Sequence, residues 1–224
     1  MFISNHTPRA LLLAVALLAV VWSAWLAGCG NKDKSFTDER DGQRYRTVKI
    51  VEQTWMAENL NYTPSNGNSW CYENSADSCN KYGRLYDWST ARVVCPSGWH
   101  LPSSEEWDNL SLAVGGKMDC YKGDNIGFCY WDGAGKKLKA KGGWNAHQGK
   151  SGNSTNAYGF SALPGGSRHS TGRFDDAGSS GIWWTATEYH SDYAYGRDMF
   201  YDLDHVSEHW GDKDSGLSVR CVGD

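Results

Sequence analysis

The chain has 224 residues and carries 22 Lys and Arg against 26 Asp and Glu, a formal net charge of -4. A mildly acidic chain lacks the basic footprint that nucleic-acid partners require. With 26 Gly, 12 Trp and only 5 Pro, the composition argues against a helical bundle and for short strands joined by loops.

The first nine residues hold one basic charge, Arg9, and an unbroken apolar run follows from Ala10 to Val21. It continues through Trp22 and Trp25 and ends in Leu26-Ala27-Gly28-Cys29. A basic start, an apolar stretch and small residues before a cut site describe a secretory signal. Leu-Ala-Gly-Cys also resembles a lipobox, which implies cleavage before Cys29 and lipidation of that cysteine. An uncleaved membrane helix is the competing reading, since about 20 apolar residues span a bilayer; the position of Cys29 favours cleavage. Residues 1–28 are therefore read as a lipoprotein signal peptide and residues 29–41 as a tether. The stretch from Gly30 to Asp41 is rich in Asn, Lys, Asp, Ser and Glu and reads as a flexible stalk. Each buried acyl CH2 contributes about 0.8 kcal/mol, and two chains anchor stably. Gly30, rather than Asp, follows the cysteine, which favours an outer-membrane lipoprotein facing the periplasm or the cell surface. Cleavage leaves 196 residues, one domain at 42–224 with room for a sizeable core.

Setting Cys29 aside, six of the seven cysteines remain. In an exported chain an even number reads as three disulfides, with 15 possible pairings. Spacing suggests Cys71–Cys79 and Cys120–Cys129 as local loops, and Cys95–Cys221 would then close a long one. A cysteine metal site would need CxxC or paired-His spacing, which the chain lacks.

Along the domain, Arg44 to Leu60 reads as a hairpin turning near Val51-Glu52-Gln53. Leu85, Trp88, Ala91 and Cys95 recur at helical steps and predict a helix over Gly83 to Cys95, ended by Pro96-Ser97-Gly98. A second helix starts after Pro102, with Ser103 and Glu106 as a capping box and Trp107, Leu110 and Val114 as its buried stripe. Gly115 to Ser154 reads mostly as loop, broken by a segment from Lys136 to Lys141. Strands are expected at Gly159 to Leu163, Ile182 to Glu188, Tyr195 to Asp202 and Leu217 to Val222. Two helices followed by short strands indicate an α+β domain.

These residues resemble a known family. Thr47-Val48-Lys49-Ile50 and Gln53-Thr54-Trp55-Met56-Ala57-Glu58-Asn59-Leu60-Asn61-Tyr62 look like the opening of the Fibrobacter succinogenes major paralogous domain. The likeness continues at Gly83-Arg84-Leu85-Tyr86, Cys95-Pro96-Ser97-Gly98-Trp99-His100-Leu101-Pro102, Glu106-Trp107 and Ala134-Gly135-Lys136-Lys137-Leu138. It runs through Tyr158-Gly159-Phe160-Ser161-Ala162-Leu163-Pro164-Gly165-Gly166 and Thr187-Glu188-Tyr189 to Ser218-Val219-Arg220-Cys221-Val222. Departures are Val51-Glu52, where the family turns more tightly, and Cys120–Cys129, in an apparent insertion. The resemblance implies a C-type-lectin-like fold, close to formylglycine-generating enzymes, with two helices flanking a twisted antiparallel sheet and long loops. It also supports Cys95–Cys221 as the helix-to-last-strand bridge.

Formylglycine-generating enzymes use a reactive cysteine pair before the final strand, and no cysteine lies between Trp184 and Val219. Ser167, His169 and Asp175 lie close in sequence, but no G-x-S-x-G elbow accompanies them, and His169 reads as a solvated loop residue. No catalytic residue and no cofactor is assigned, and the chain is read as a non-enzyme. Candidate ligand contacts are Trp131, Trp144, Tyr189, Tyr193, Tyr195 and Trp210, because flat rings in polar loops can stack on sugars. Trp55, Trp88, Trp99, Trp107 and Trp184 are assigned to the core. Asp192, Asp198, Asp202, Asp204, Glu208, Asp212 and Asp214 match no EF-hand spacing and read as a solvated acidic face, without a metal. The expected role is a membrane-tethered binding module for polysaccharide. A structural or protein-docking envelope component is the alternative, and an enzyme related to the formylglycine-generating group comes last.

Overall fold

The computed structural model describes Met1 and residues 34–122 and 127–224, without the side chains of Lys122 and Gly127. Cys29, and the signal and lipobox readings around it, lie outside these residues. Among the described residues no helix is long and apolar enough to cross a membrane.

The domain opens with β1 (Lys34–Thr37), β2 (Arg44–Ile50) and β3 (Gln53–Met56). Next come β4 (Ser69–Trp70), α1 (Ala76–Tyr82), β5 (Leu85–Tyr86), α2 (Trp88–Ala91), β6 (Trp99–His100) and α3 (Ser104–Ala113). A hairpin, β7 (Lys117–Lys122) and β8 (Gly127–Asp132), precedes α4 (Ala134–Leu138). Two small ladders follow, β9 (Ala146–His147) with β10 (Lys150–Ser151), and β11 (Ser167–Arg168) with β12 (Phe174–Asp175). The long strands β13 (Ser180–Glu188), β14 (Tyr193–Phe200) and β15 (Val206–Asp212) lead to β16 (Leu217–Ser218) and β17 (Val222–Gly223). One sheet runs β1-β2-β3-β17-β6 and the other β4-β5-β16-β13-β14-β15-β8-β7. Pairing is antiparallel except between β13 and β16. Sheet-rich with few helices, the domain is α+β.

The stripe on α3 packs as its spacing requires: Trp107, Leu110 and Val114 are fully buried. The Ser103–Glu106 capping box closes in both directions, satisfying two of the orphan N–H groups at the helix start. Trp107 meets Trp55, Phe160 and Trp183 edge-on or tilted. Trp88 and Trp184 sit in a second cluster with Tyr86 and Leu217. Trp99 is only half-buried, stacked against Phe36. All three disulfides are formed: Cys71–Cys79, Cys95–Cys221 and Cys120–Cys129.

Below the aromatic core lies a buried cation. Arg220 is fully buried, and its Nε and Nη2 donate to Asn59 Oδ1 at 3.0 and 2.6 Å. Its Nη1 donates to the carbonyl oxygens of Met56 and Phe160. Asn59 Oδ1 also accepts from Trp183 Nε1, while Asn59 Nδ2 donates to Tyr82 O. Burial pulls the Arg220 pKa down to about 9, which leaves the guanidinium charged at neutral pH.

Several readings need correction. The stalk loses Lys34–Thr37, which pairs with β2. Phe36 stacks on Tyr45 and Trp99, and Arg40 forks onto buried Asp38, so one aromatic and one ion pair anchor a segment whose average composition is polar. The Gly83–Cys95 helix is broken up. Leu85–Tyr86 is held as a strand by β16, and Asp87 caps a new four-residue helix by accepting from Thr90 N. The Gly159–Leu163 strand does not form, because Ser161 has φ 56° and only Ala162 bridges to Lys139. The Gly115–Ser154 loop contains the β7–β8 hairpin. The Leu217–Val222 strand is two strands serving different sheets. Asp198 leaves the solvated acidic face, being 6% exposed.

His100 ties the end of the domain to α3. Its Nδ1 lies 2.6 Å from Asp224 Oδ1 and its Nε2 2.8 Å from Glu106 Oε1. Burial alone would lower the His100 pKa, but the two carboxylates outweigh it and hold the imidazole above its ordinary 6.5. Burial likewise works against Glu106, yet Ser103 and His100 keep its carboxyl below the ordinary 4.5. The histidine's contribution is thus full below its unfolded pKa and fades as pH rises through the raised folded value. The Glu106 contribution fades as pH falls through its lowered value. In denaturant titrations, the stability gap between the wild type and His100→Gln should be widest at about pH 5–6 and shrink towards alkaline pH. A gap that does not vary with pH would contradict this coupling.

Candidate functional site

The turn from β13 into β14 is tight. Tyr189 N donates to Tyr193 O, and Tyr193 N donates to His190 O. Lys213 clamps it from the far side, its Nζ donating to the Glu188 carboxylate and to Ser191 O and its backbone N–H to Asp192 O. The result is a cluster of rings at one end of the large sheet. Tyr189 stacks on Trp210 at 5.7 Å, and Tyr193 meets Trp210 edge-on at 5.4 Å. Tyr195, the cross-strand partner of Trp210, meets Tyr189 at 5.0 Å. Tyr189 is 50%, Trp210 45% and Tyr193 36% exposed, whereas Tyr195 is half-buried beneath them.

Beside this cluster a cavity of about 340 Å³ opens between the β11–β12 hairpin and strands β14 and β15. Tyr193 and Trp210 form part of its wall, with Arg168, His209 and Asp212 as polar neighbours. The Arg168 guanidinium lies 4.0 Å over the Trp70 ring, which fixes its direction. His209 is pressed down to about 4 by burial and is neutral at physiological pH. Behind it, Asp198 Oδ2 is 3.6 Å from His209 Nδ1, and Asp198 Oδ1 is buried without a partner. Burial raises Asp198 to about 7. Rings on one side and fixed polar groups on the other make a concave surface able to hold a polyhydroxylated ligand.

Of the six candidate rings, four meet here and two do not. Trp131 and Trp144 are 2% and 5% exposed and belong to the core. On β8, Trp131 points inward by strand alternation, under the Arg197 guanidinium. Trp144 donates its Nε1 to Ala162 O and lies beneath the Lys139 ammonium. The Gly- and Asn-rich sequence around each indole hides this packing. Arg168 and His209 were not among the sequence candidates, and β15, though it holds Trp210, Glu208 and Asp212, was not expected as a strand, since Val206–Asp212 carries no run of β-branched or aromatic residues.

Ser167, His169 and Asp175 all line the cavity, but not as a triad. His169 is exposed, with Nδ1 engaged by Thr171, and Asp175 accepts from Arg173 Nε. All six cysteines of the domain are bonded in pairs. Among the described residues no three His, Cys, Asp or Glu side chains gather as metal ligands. A second groove of about 340 Å³ lies between β2–β3 and α1. Among its lining groups Arg46 pairs with Glu58, and Asn59 serves Arg220 behind it.

No curated protein and no solved structure matches the chain. The Fibrobacter succinogenes major domain model matches residues 48–223, which takes in the ring cluster, the Arg220 cage and all three disulfides. On this match the chain belongs to the Fibrobacter succinogenes major domain family.

Proposed function

We propose that this chain is a lipid-anchored, non-catalytic binding module of the cell envelope, with a C-type-lectin-like fold, that grips a polysaccharide at the Tyr189–Tyr193–Trp210 cluster. The observation that carries the reading is three exposed rings, Tyr189 and Tyr193 each against Trp210, beside a cavity that presents Arg168, His209 and Asp212. Rings of this kind stack on the C–H face of a sugar, and the polar groups answer its hydroxyls. The two sheets joined through a C-terminal crossover, and the bridge at Cys95–Cys221, support the lectin-like comparison. Leu26-Ala27-Gly28-Cys29 after an apolar run supports lipidation at Cys29 and an outer-membrane address. An unpaired surface role in docking another envelope protein is the alternative that the same experiment separates.

The test is retention of the disulfide-intact domain on amorphous cellulose, xylan and chitin, β-linked polymers whose rings present flat faces. Wild type should be retained on at least one, and Trp210→Ala should weaken retention about tenfold or more, a loss of roughly 1.4 kcal/mol or above. Trp210 is a surface ring, so the variant should keep its unfolding midpoint. Absence of retention on every polymer, or equal retention of the variant, overturns the proposal.

A further inference from the structure

The β7–β8 hairpin carries a second row of rings. Trp131 of β8 points into the core, so by alternation its neighbours Tyr130 and Phe128 face away from it. Tyr121 is the cross-strand partner of Phe128, and Asp119 that of Tyr130. The rings follow one another: Tyr121 to Phe128 at 5.7 Å, Phe128 to Tyr130 at 6.3 Å, and Tyr130 to His205 at 4.8 Å. Tyr121 is 60% and Phe128 41% exposed. The Cys120–Cys129 bridge ties the two strands between these rings and fixes their spacing, which lowers the ordering cost of any ligand laid across them. Asp119 runs alongside, its Oδ2 accepting from Tyr130 OH at 3.0 Å.

Resting on the polysaccharide reading above, we propose that this outer face of the β7–β8 hairpin is a second sugar-contacting surface, which takes an extended stretch of a β-linked polysaccharide chain. The shape favours a chain: the rings form a row rather than a cavity, with a carboxylate at its side for hydroxyl groups. The area disfavours a protein. Fully buried rings of this size remove about 150–250 Å² each, so the exposed parts of Tyr121 and Phe128 offer on the order of 200 Å², against roughly 800 Å² per partner in a stable protein interface. The register adds continuity. Tyr130 pairs with Ser207, and Ser207 shares its sheet face with His209, two residues on, which lines the cavity beside the first cluster. By the same alternation Trp210 lies on the opposite face, with Val206 and Trp131, so the continuity runs to the cavity wall at His209 and not to the rings of the first cluster.

The experiment compares wild type, Tyr121→Ala/Phe128→Ala and Trp210→Ala on amorphous cellulose, xylan and chitin, with sedimentation and thermal unfolding of each. The hairpin variant should keep its unfolding midpoint and its sedimentation coefficient, and should lose about tenfold or more of its retention on the polymer that wild type binds. Retention equal to wild type, while Trp210→Ala is weakened, overturns the second surface and leaves the first standing. No retention of wild type overturns both. A wild type that self-associates and a hairpin variant that does not would show that a second copy covers these rings, and would overturn the proposal as well.

Discussion

Removing the Cys95–Cys221 bridge, as the Cys95→Ala/Cys221→Ala variant, is expected to lower stability by about 5 kcal/mol. The bridge spans 126 residues, and the chain-entropy account scales with the logarithm of that loop. The bridges Cys71–Cys79 and Cys120–Cys129 close loops of 8 and 9 residues, for which the same relation gives about 2.5 kcal/mol each. A domain of this size has a total stability of only about 5–15 kcal/mol, so the long bridge accounts for a third or more of it. Cys221 is fully buried, and lost packing adds to the effect. Denaturant unfolding of the three double variants checks the order: the long-bridge variant should have the lowest midpoint, with a steeper slope because its unfolded chain expands further. A long-bridge loss no larger than the local ones would contradict the entropy account.

The second large effect concerns Arg220. Arg220→Met should cost about 1–3 kcal/mol for each buried carbonyl it leaves without this donor. Methionine fills the space, but the carbonyl oxygens of Met56 and Phe160 then lose this donor and Asn59 Oδ1 is left with Trp183 Nε1 alone, and unsatisfied buried acceptors are expensive. Asn59→Ala should cost a similar amount, because it strips the guanidinium of its main acceptor and also frees Trp183 Nε1. The informative measurement is the double variant. Residues sharing one network are not additive, so Asn59→Ala/Arg220→Met should cost clearly less than the two single losses together. Full additivity would mean that the two side chains act independently.

Much of this fold was legible where local signals and burial agree. Ser103 and Glu106 mark the start of α3, and Trp107, Leu110 and Val114 mark its inner face. The β2–β3 hairpin turns at Val51 and Glu52, with Val51 at φ 53°. Tertiary pairing overrode the rest. Leu85 and Tyr86 belong to a helical pattern until β16, 131 or more residues later, claims them as a strand. At the candidate site, rings near a tight turn were visible as Tyr189, Tyr193 and Trp210, but nothing local distinguishes them from Trp131 and Trp144. Inward or outward direction depends on strand register, and β15 is too polar to announce itself. Arg220 looked like any basic residue in a strand; its burial follows from Asn59, some 161 positions earlier.

The crossover of the final segment has a consequence for how the domain forms. β16 fills the gap between β5 and β13, and β17 the gap between β3 and β6. Both interior positions are supplied by a stretch that follows every other element in sequence order. Neither sheet can therefore close while the chain is still emerging from its N-terminus forward, and the strands already present are left with open edges. Completion of both sheets and of the Cys95–Cys221 bridge thus depends on the same few residues, Leu217 to Gly223.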